Sequence, residues 1–173
     1  VTYKSIPTAG DTLNNDIVQY IREKYGLLIG DKMAEMVKIK IGTVTDLSEP
    51  LTMNVQGRDI ITGLPKQITH YSTSSSLGLI FSIKKIINEI KNTLELTPPE
   101  LIADIYETGI VLTGGGALMR NLDKLISEEI KIPVTITDDP FTCTIRGINS
   151  LLENESLLLD VKIPTSKDES MLP

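Results

Sequence analysis

Cysteine, histidine and tryptophan are scarce in this 173-residue chain, which has one, one and none of them. The single cysteine, Cys143, forms no intrachain disulfide and leaves no thiolate cluster for zinc. The single histidine, His70, confines any Ser-His-Asp or Cys-His mechanism to that one side chain. No apolar run approaches the roughly 18 residues of a membrane-spanning helix. The opening residues, Val1 to Ser5, show neither an apolar signal core nor an initiator methionine. Basic residues are the minority, 17 against 23 acidic, for a formal net charge of −6. Nucleic-acid binding is therefore not expected, because it needs a positive field to displace counterions from phosphates. These absences point to a cytoplasmic, reduced setting and to a piece cut from a longer chain.

What is present describes an ordinary globular protein of about one domain, with 40% hydrophobic and 23% charged residues. Residues 1 to 6 are β-prone. After a turn at Pro7 to Gly10, Asp11 is expected to cap a helix to about Tyr25, with Ile17, Tyr20, Ile21 and Tyr25 on one face. A second helix is expected from Asp31 to Gly42, the glycine serving as a left-handed cap. From Leu51 the period becomes two, giving short strands broken at Gly57 and at Gly63 to Pro65. A long amphipathic helix follows from Ser74 to Leu94, with Ile80, Ile83, Ile87 and Ile90 on its apolar side. Thr97-Pro98-Pro99 stops it, and Leu101 to Tyr106 forms a short helical piece.

The last third alternates strand and helix. Gly109 to Leu112 is a strand, Ala117 to Glu129 a helix, and Pro133 to Ile136 another strand. Asp139-Pro140 is expected to start a closing helix whose buried side carries Phe141, Ile145, Ile148 and Leu152. Beyond Glu153 a flexible tail is expected.

The strongest chemical feature is Thr113-Gly114-Gly115-Gly116-Ala117, between a buried strand and a helix. Three glycines allow a sharp bend and let a ligand approach the backbone without Cβ interference. The helix start then offers free N–H groups suited to phosphate or a nucleotide's polar edge. A tight turn with no ligand explains the same residues. There is no G-x-x-x-x-G-K-[ST] motif, and Met119 stands where the third glycine of a dinucleotide fingerprint would fall. Asp138 and Asp139 read as a helix cap, His70 as a solvated strand end beside Tyr71, and Cys143 as a small core residue. Glu35 and Lys38 read as an exposed helical ion pair.

Several segments together resemble one family. AGD at Ala9 to Asp11, QYIREKYGLLIGDKMAEMVKIKIG at Gln19 to Gly42 and LTMNVQGRDIITGLPKQI at Leu51 to Ile68 are similar to MreB. So are TPPELIADI at Thr97 to Ile105, GIVLTGGGALMRNLDKLI at Gly109 to Ile126 and DPFTC at Asp139 to Cys143. The MreB family comprises bacterial actin-like cytoskeletal ATPases that set cell shape. The resemblance implies an α/β chain forming only the C-terminal half of such a protein, the second lobe of an actin-like (ribonuclease H-like) ATPase fold, incomplete, with a small α+β outer subdomain. On that reading residues 1–30 begin the main lobe with a strand and helix. Residues 31–95 form the outer subdomain, 96–153 return to the main lobe, and 154–173 are the tail.

The resemblance also implies an ATP site. Its adenosine loop matches Gly114, Gly115, Gly116 and Ala117, and a helical segment over the adenine and ribose matches Glu35, Met36, Val37 and Lys38. Thr12 and Asn14 stand where the family has acidic residues. The phosphate hairpins and their magnesium-positioning aspartates match nothing here, so magnesium is expected only with a missing N-terminal half, no catalytic residue or metal ligand is assigned, and the chain is expected to be inactive alone. The implied function is part of an ATP-binding filament protein of cell shape, contacting itself, full-length MreB-like subunits or that missing half. The alternative is a non-catalytic module that regulates MreB filaments.

Overall fold

Apolar residues at helical spacing build the first layer of the computed structural model, which describes residues 2–154 and 156–157. Leu13, Ile17 and Ile21 share the buried face of α1 (Gly10–Tyr25). Its entry is held by Thr12, whose hydroxyl accepts from the Ala9 N–H at 3.5 Å and donates to the Pro7 carbonyl at 3.2 Å. Asp11 is therefore not the cap; it lies in the first turn, where a carboxylate complements the helix dipole. β1 (Leu27–Leu28) follows, then α2 (Asp31–Ile41), which buries Ala34, Val37 and Ile41. Gly42 ends α2 in extended conformation (φ −61°, ψ 134°), so the expected left-handed cap is absent there.

β2 (Thr52–Asp59) and β3 (Pro65–Tyr71) form an antiparallel hairpin, with β1 on the outer side of β2. Gly57 does not break β2 as expected. It lies inside the strand, opposite Lys66, where a Cβ would fall 2.2 Å from the Leu28 carbonyl oxygen. The glycine thus admits β1 to the sheet.

α3 (Ser72–Glu95) crosses α1 and supplies Leu79, Ile83 and Ile87 to the core. α4 (Pro99–Thr108) starts with proline in its first turn. β4 (Ile110–Leu112) pairs in parallel with β5 (Val134–Ile136), and α5 (Leu122–Ile130) connects them. A short 3-10 helix, Gly115–Leu118, precedes α5. The single helix expected from Ala117 is thus two pieces, because Asn121 adopts a left-handed conformation (φ 63°) between them.

Four further expectations change. Residues 2–6 form no strand. His70 is fully buried rather than solvated, with the rings of Tyr20 and Tyr25 at centroid distances of 6.0 and 5.8 Å. The closing helix α6 (Cys143–Glu153) is capped at Thr142, and Asp139 instead takes positive φ (45°), accepts from the Thr142 hydroxyl and pairs with Arg146 at 3.5 Å. Phe141, Ile145, Ile148 and Leu152 are exposed rather than buried. Periodicity sets which side of α6 is apolar, and among the described residues none of its side chains is buried. Most of the expected flexible tail lies outside the described residues.

Candidate functional site

The triple-glycine bend leaves the end of β4 through Gly114, whose φ of 81° and ψ of 169° are accessible to glycine but strained for other residues. Its N–H donates to the Pro140 carbonyl at 2.7 Å, which pins the bend to the segment before α6. Around Gly114 and Gly116 nothing among the described residues lies within 4 Å of where a Cβ would stand, whereas the Phe141 ring comes within 3.4 Å of that point at Gly115. Two of the three glycines thus face open space. The N–H groups of Gly115 and Gly116, which open the 3-10 helix, have no partner inside it. Ala117 turns inward and is buried.

The α2 residues divide in two. Glu35 and Met36 are exposed, while Val37 is wholly buried in the core and fixes the helix by packing. Lys38 is half-buried, and its ammonium donates to the Gly10 carbonyl at 3.2 Å. The expected ion pair between Glu35 and Lys38 does not form among the described residues, because Lys38 reaches back to the start of α1.

One residue not singled out in the sequence brings the two segments together. Arg120 follows the 3-10 helix by two positions, and its Nη1 donates to the carbonyls of Ile39 and Gly42, both at 3.2 Å. Those carbonyls end α2, where a cation is also favoured by the helix dipole. Val44 N–H donates to the Arg120 carbonyl at 3.3 Å, Thr43 and Arg120 form an isolated parallel bridge, and Asn121 Nδ2 donates to the Thr45 hydroxyl at 2.9 Å. The glycine bend and α2 are thereby one clamped unit. Cys143 is half-buried at the start of α6.

The family model described as MreB/Mbl protein matches residues 1–159. The cell shape-determining protein Mbl of Bacillus cereus is 44% identical over 154 residues, covering 89% of this chain and 46% of that protein. MreB of Escherichia coli is 42% identical over 149 residues, covering 86% and 43%. Among solved structures, MreB5 of Spiroplasma citri bound to ADP matches with a TM-score of 0.88 and 36% identity, covering 94% of this chain and 49% of that one. The MamK double helical filament, at 23% identity and a TM-score of 0.74, shares the fold. The chain spans about half the length of the relatives it matches.

These matches correct the expectations that described the chain by what it lacks. The family match runs through residues 1–159, and MreB5 superposes on 94% of the chain. The fold is the actin-like ATPase fold, and the reading as a C-terminal half only, an incomplete second lobe awaiting a missing N-terminal half, is withdrawn. The expectation of a chain inactive alone is withdrawn with it, since the matching MreB5 structures are bound to ADP and to AMPPNP. Among the described residues no helix is long and apolar enough to cross a membrane.

Proposed function

Because the chain belongs to the MreB/Mbl family, we propose that it is an ATP-binding filament protein that acts in bacterial cell shape, assembling in the cytoplasm with copies of itself or with MreB-like subunits. The observation that carries this reading is the clamp at Arg120, which holds the open glycine bend beside α2. Gly114, Gly115, Gly116 and Ala117 would take one side of the adenosine, with open space beside Gly114 and Gly116 and the Phe141 ring beside Gly115. Glu35, Met36 and Lys38 would take the other side, and buried Val37 would set the position of their helix. The fit is chemical as well as steric, since adenosine presents an apolar ring edged with acceptors and a ribose edged with hydroxyls. Residues 31–95 act on this reading as an outer subdomain, and residues 1–30 and 96–153 as the main lobe.

Isothermal titration of the chain with ATP tests the proposal. The wild type should bind, and Gly114→Val, which places a β-branched side chain in a glycine-only conformation at the site, should weaken binding at least about tenfold. A wild type without affinity for ATP, or a variant that binds equally well, would contradict it.

The exposed apolar face of α6 favours a second reading, that of a non-catalytic module acting on MreB-like filaments. Light scattering of polymerising filaments with added chain separates the two. Suppression at substoichiometric amounts supports the regulator, and incorporation in proportion to added chain supports the subunit.

A further inference from the structure

Phe141 stands beside the glycine bend with 75% of its surface exposed. Its Cδ2 and Cε2 atoms lie 3.4 and 3.7 Å from where a Cβ would stand at Gly115. At Gly114 and Gly116, on either side, nothing among the described residues comes within 4 Å of that point. The ring thus borders the open ground at the bend, and solvent reaches it. One exposed apolar side chain needs no explanation by itself. This one stands on a segment that is held in place from both ends.

The Pro140 carbonyl, one residue before the ring, accepts from the Gly114 N–H at 2.7 Å. On the other side the Thr142 N–H donates to the Asp139 carbonyl at 3.2 Å, and the Thr142 hydroxyl donates to the Asp139 carboxylate. Arg146 of α6 pairs with that carboxylate at 3.5 Å and donates to the Asp138 carbonyl. Asp139 itself is kept at a φ of 45°. A side-chain-bearing residue holds such a conformation only where its surroundings impose it, and strain of this kind collects at ligand clamps. The backbone from Asp138 to Thr142 is therefore fastened to the bend and to α6, and it presents Phe141 preorganised.

The chemistry of the ring selects what it can hold. A phenyl group neither donates nor accepts a conventional hydrogen bond, so ribose hydroxyls gain nothing from it. Its electron-rich face repels phosphate oxygens. A flat heteroaromatic base gains both area and stacking. Resting on the adenosine reading above, we propose that Phe141 is the base-stacking residue of this site, its ring covering one face of the adenine beside Gly115.

The test titrates the full chain and its Phe141→Ala, Phe141→Tyr and Phe141→Trp variants with ATP, and melts each without nucleotide. Phe141→Ala should weaken ATP binding about fivefold or more, as loss of a base-stacking ring does. It should leave the melting temperature almost unchanged, because the ring is mostly exposed. Phe141→Tyr keeps an aromatic face and should keep the affinity. Phe141→Trp carries the only tryptophan of its chain, so its emission should respond to ATP and not to ribose 5-phosphate at the same concentration. A wild type that binds ATP no better than Phe141→Ala would overturn the assignment of Phe141 and leave the adenosine site standing. Tryptophan emission unmoved by saturating ATP would overturn it too, as would a Phe141→Tyr variant as weak as Phe141→Ala. A wild type without affinity for ATP would remove the adenosine reading itself, and this inference with it.

Discussion

Arg120 donates from Nη1 to the carbonyl of Gly42 at 3.2 Å, and the same nitrogen reaches the carbonyl of Ile39 at 3.2 Å. The two acceptors belong to the last turn of α2, where carbonyls have no partners inside the helix. Replacing Arg120 with alanine should therefore cost about 1–3 kcal/mol of stability. On the proposed function it should also weaken ATP binding, because α2 and the glycine bend lose their common anchor. Arg120→Lys should recover only part of the loss, since the shorter, flexible lysine side chain does not hold its nitrogen where the planar guanidinium fixes Nη1. Chemical denaturation of the three proteins measures the first effect and calorimetry the second.

Gly114 and Gly116 should separate folding from binding. Both face open space, and only Gly114 has positive φ. Gly114→Ala should lose about 1–3 kcal/mol through backbone strain alone. Gly116→Ala should change stability by no more than about 0.5 kcal/mol and yet weaken ATP binding, because its methyl group would occupy the approach to the backbone. Melting curves and titrations of the two variants check this contrast.

Acid should destabilise the fold through His70. Burial, followed by the nearby charge of Lys24, pushes this imidazole down to about 4 from its usual 6.5. The folded state thus binds fewer protons than the unfolded state between these values, so stability rises with pH across that window. The contribution is complete above about pH 6.5 and is lost as the pH falls toward 4, on the order of 3 kcal/mol in all. Denaturation midpoints at pH 7, 5.5 and 4.5 should fall in that order, and His70→Gln should flatten this part of the profile.

The outer face of α6 should tolerate polar residues in the isolated chain. Ile145 is 62% exposed and Leu152 72%, so Ile145→Ser with Leu152→Ser should leave the melting temperature almost unchanged. A large drop would mean that α6 is packed in solution.

Much of this architecture was legible in the sequence, and its gaps have physical causes. The glycine bend is visible because three consecutive glycines between a strand and a helix mark a sharp turn, and the long helix because its isoleucines recur at three and four. The periodicity of α6 revealed an apolar side and said nothing of what lies against it. The burial of His70 is not legible because its strand neighbours are polar, whereas the Tyr20 and Tyr25 rings beside it lie about fifty residues away in sequence. Gly57 reads as a strand break in sequence because the close approach of β1, the reason for a glycine there, is a tertiary fact. The role of Arg120 is not legible in sequence because its acceptors are backbone carbonyls, which every residue carries and no side-chain pattern marks.

Hydrogen exchange with and without ATP tests most directly whether the clamped bend and α2 form one adenosine cradle. The account predicts that ATP slows exchange together in residues 35–45 and 114–121, and that Arg120→Ala abolishes the joint protection. Protection confined to one of the two segments, or appearing only elsewhere in the chain, would contradict it.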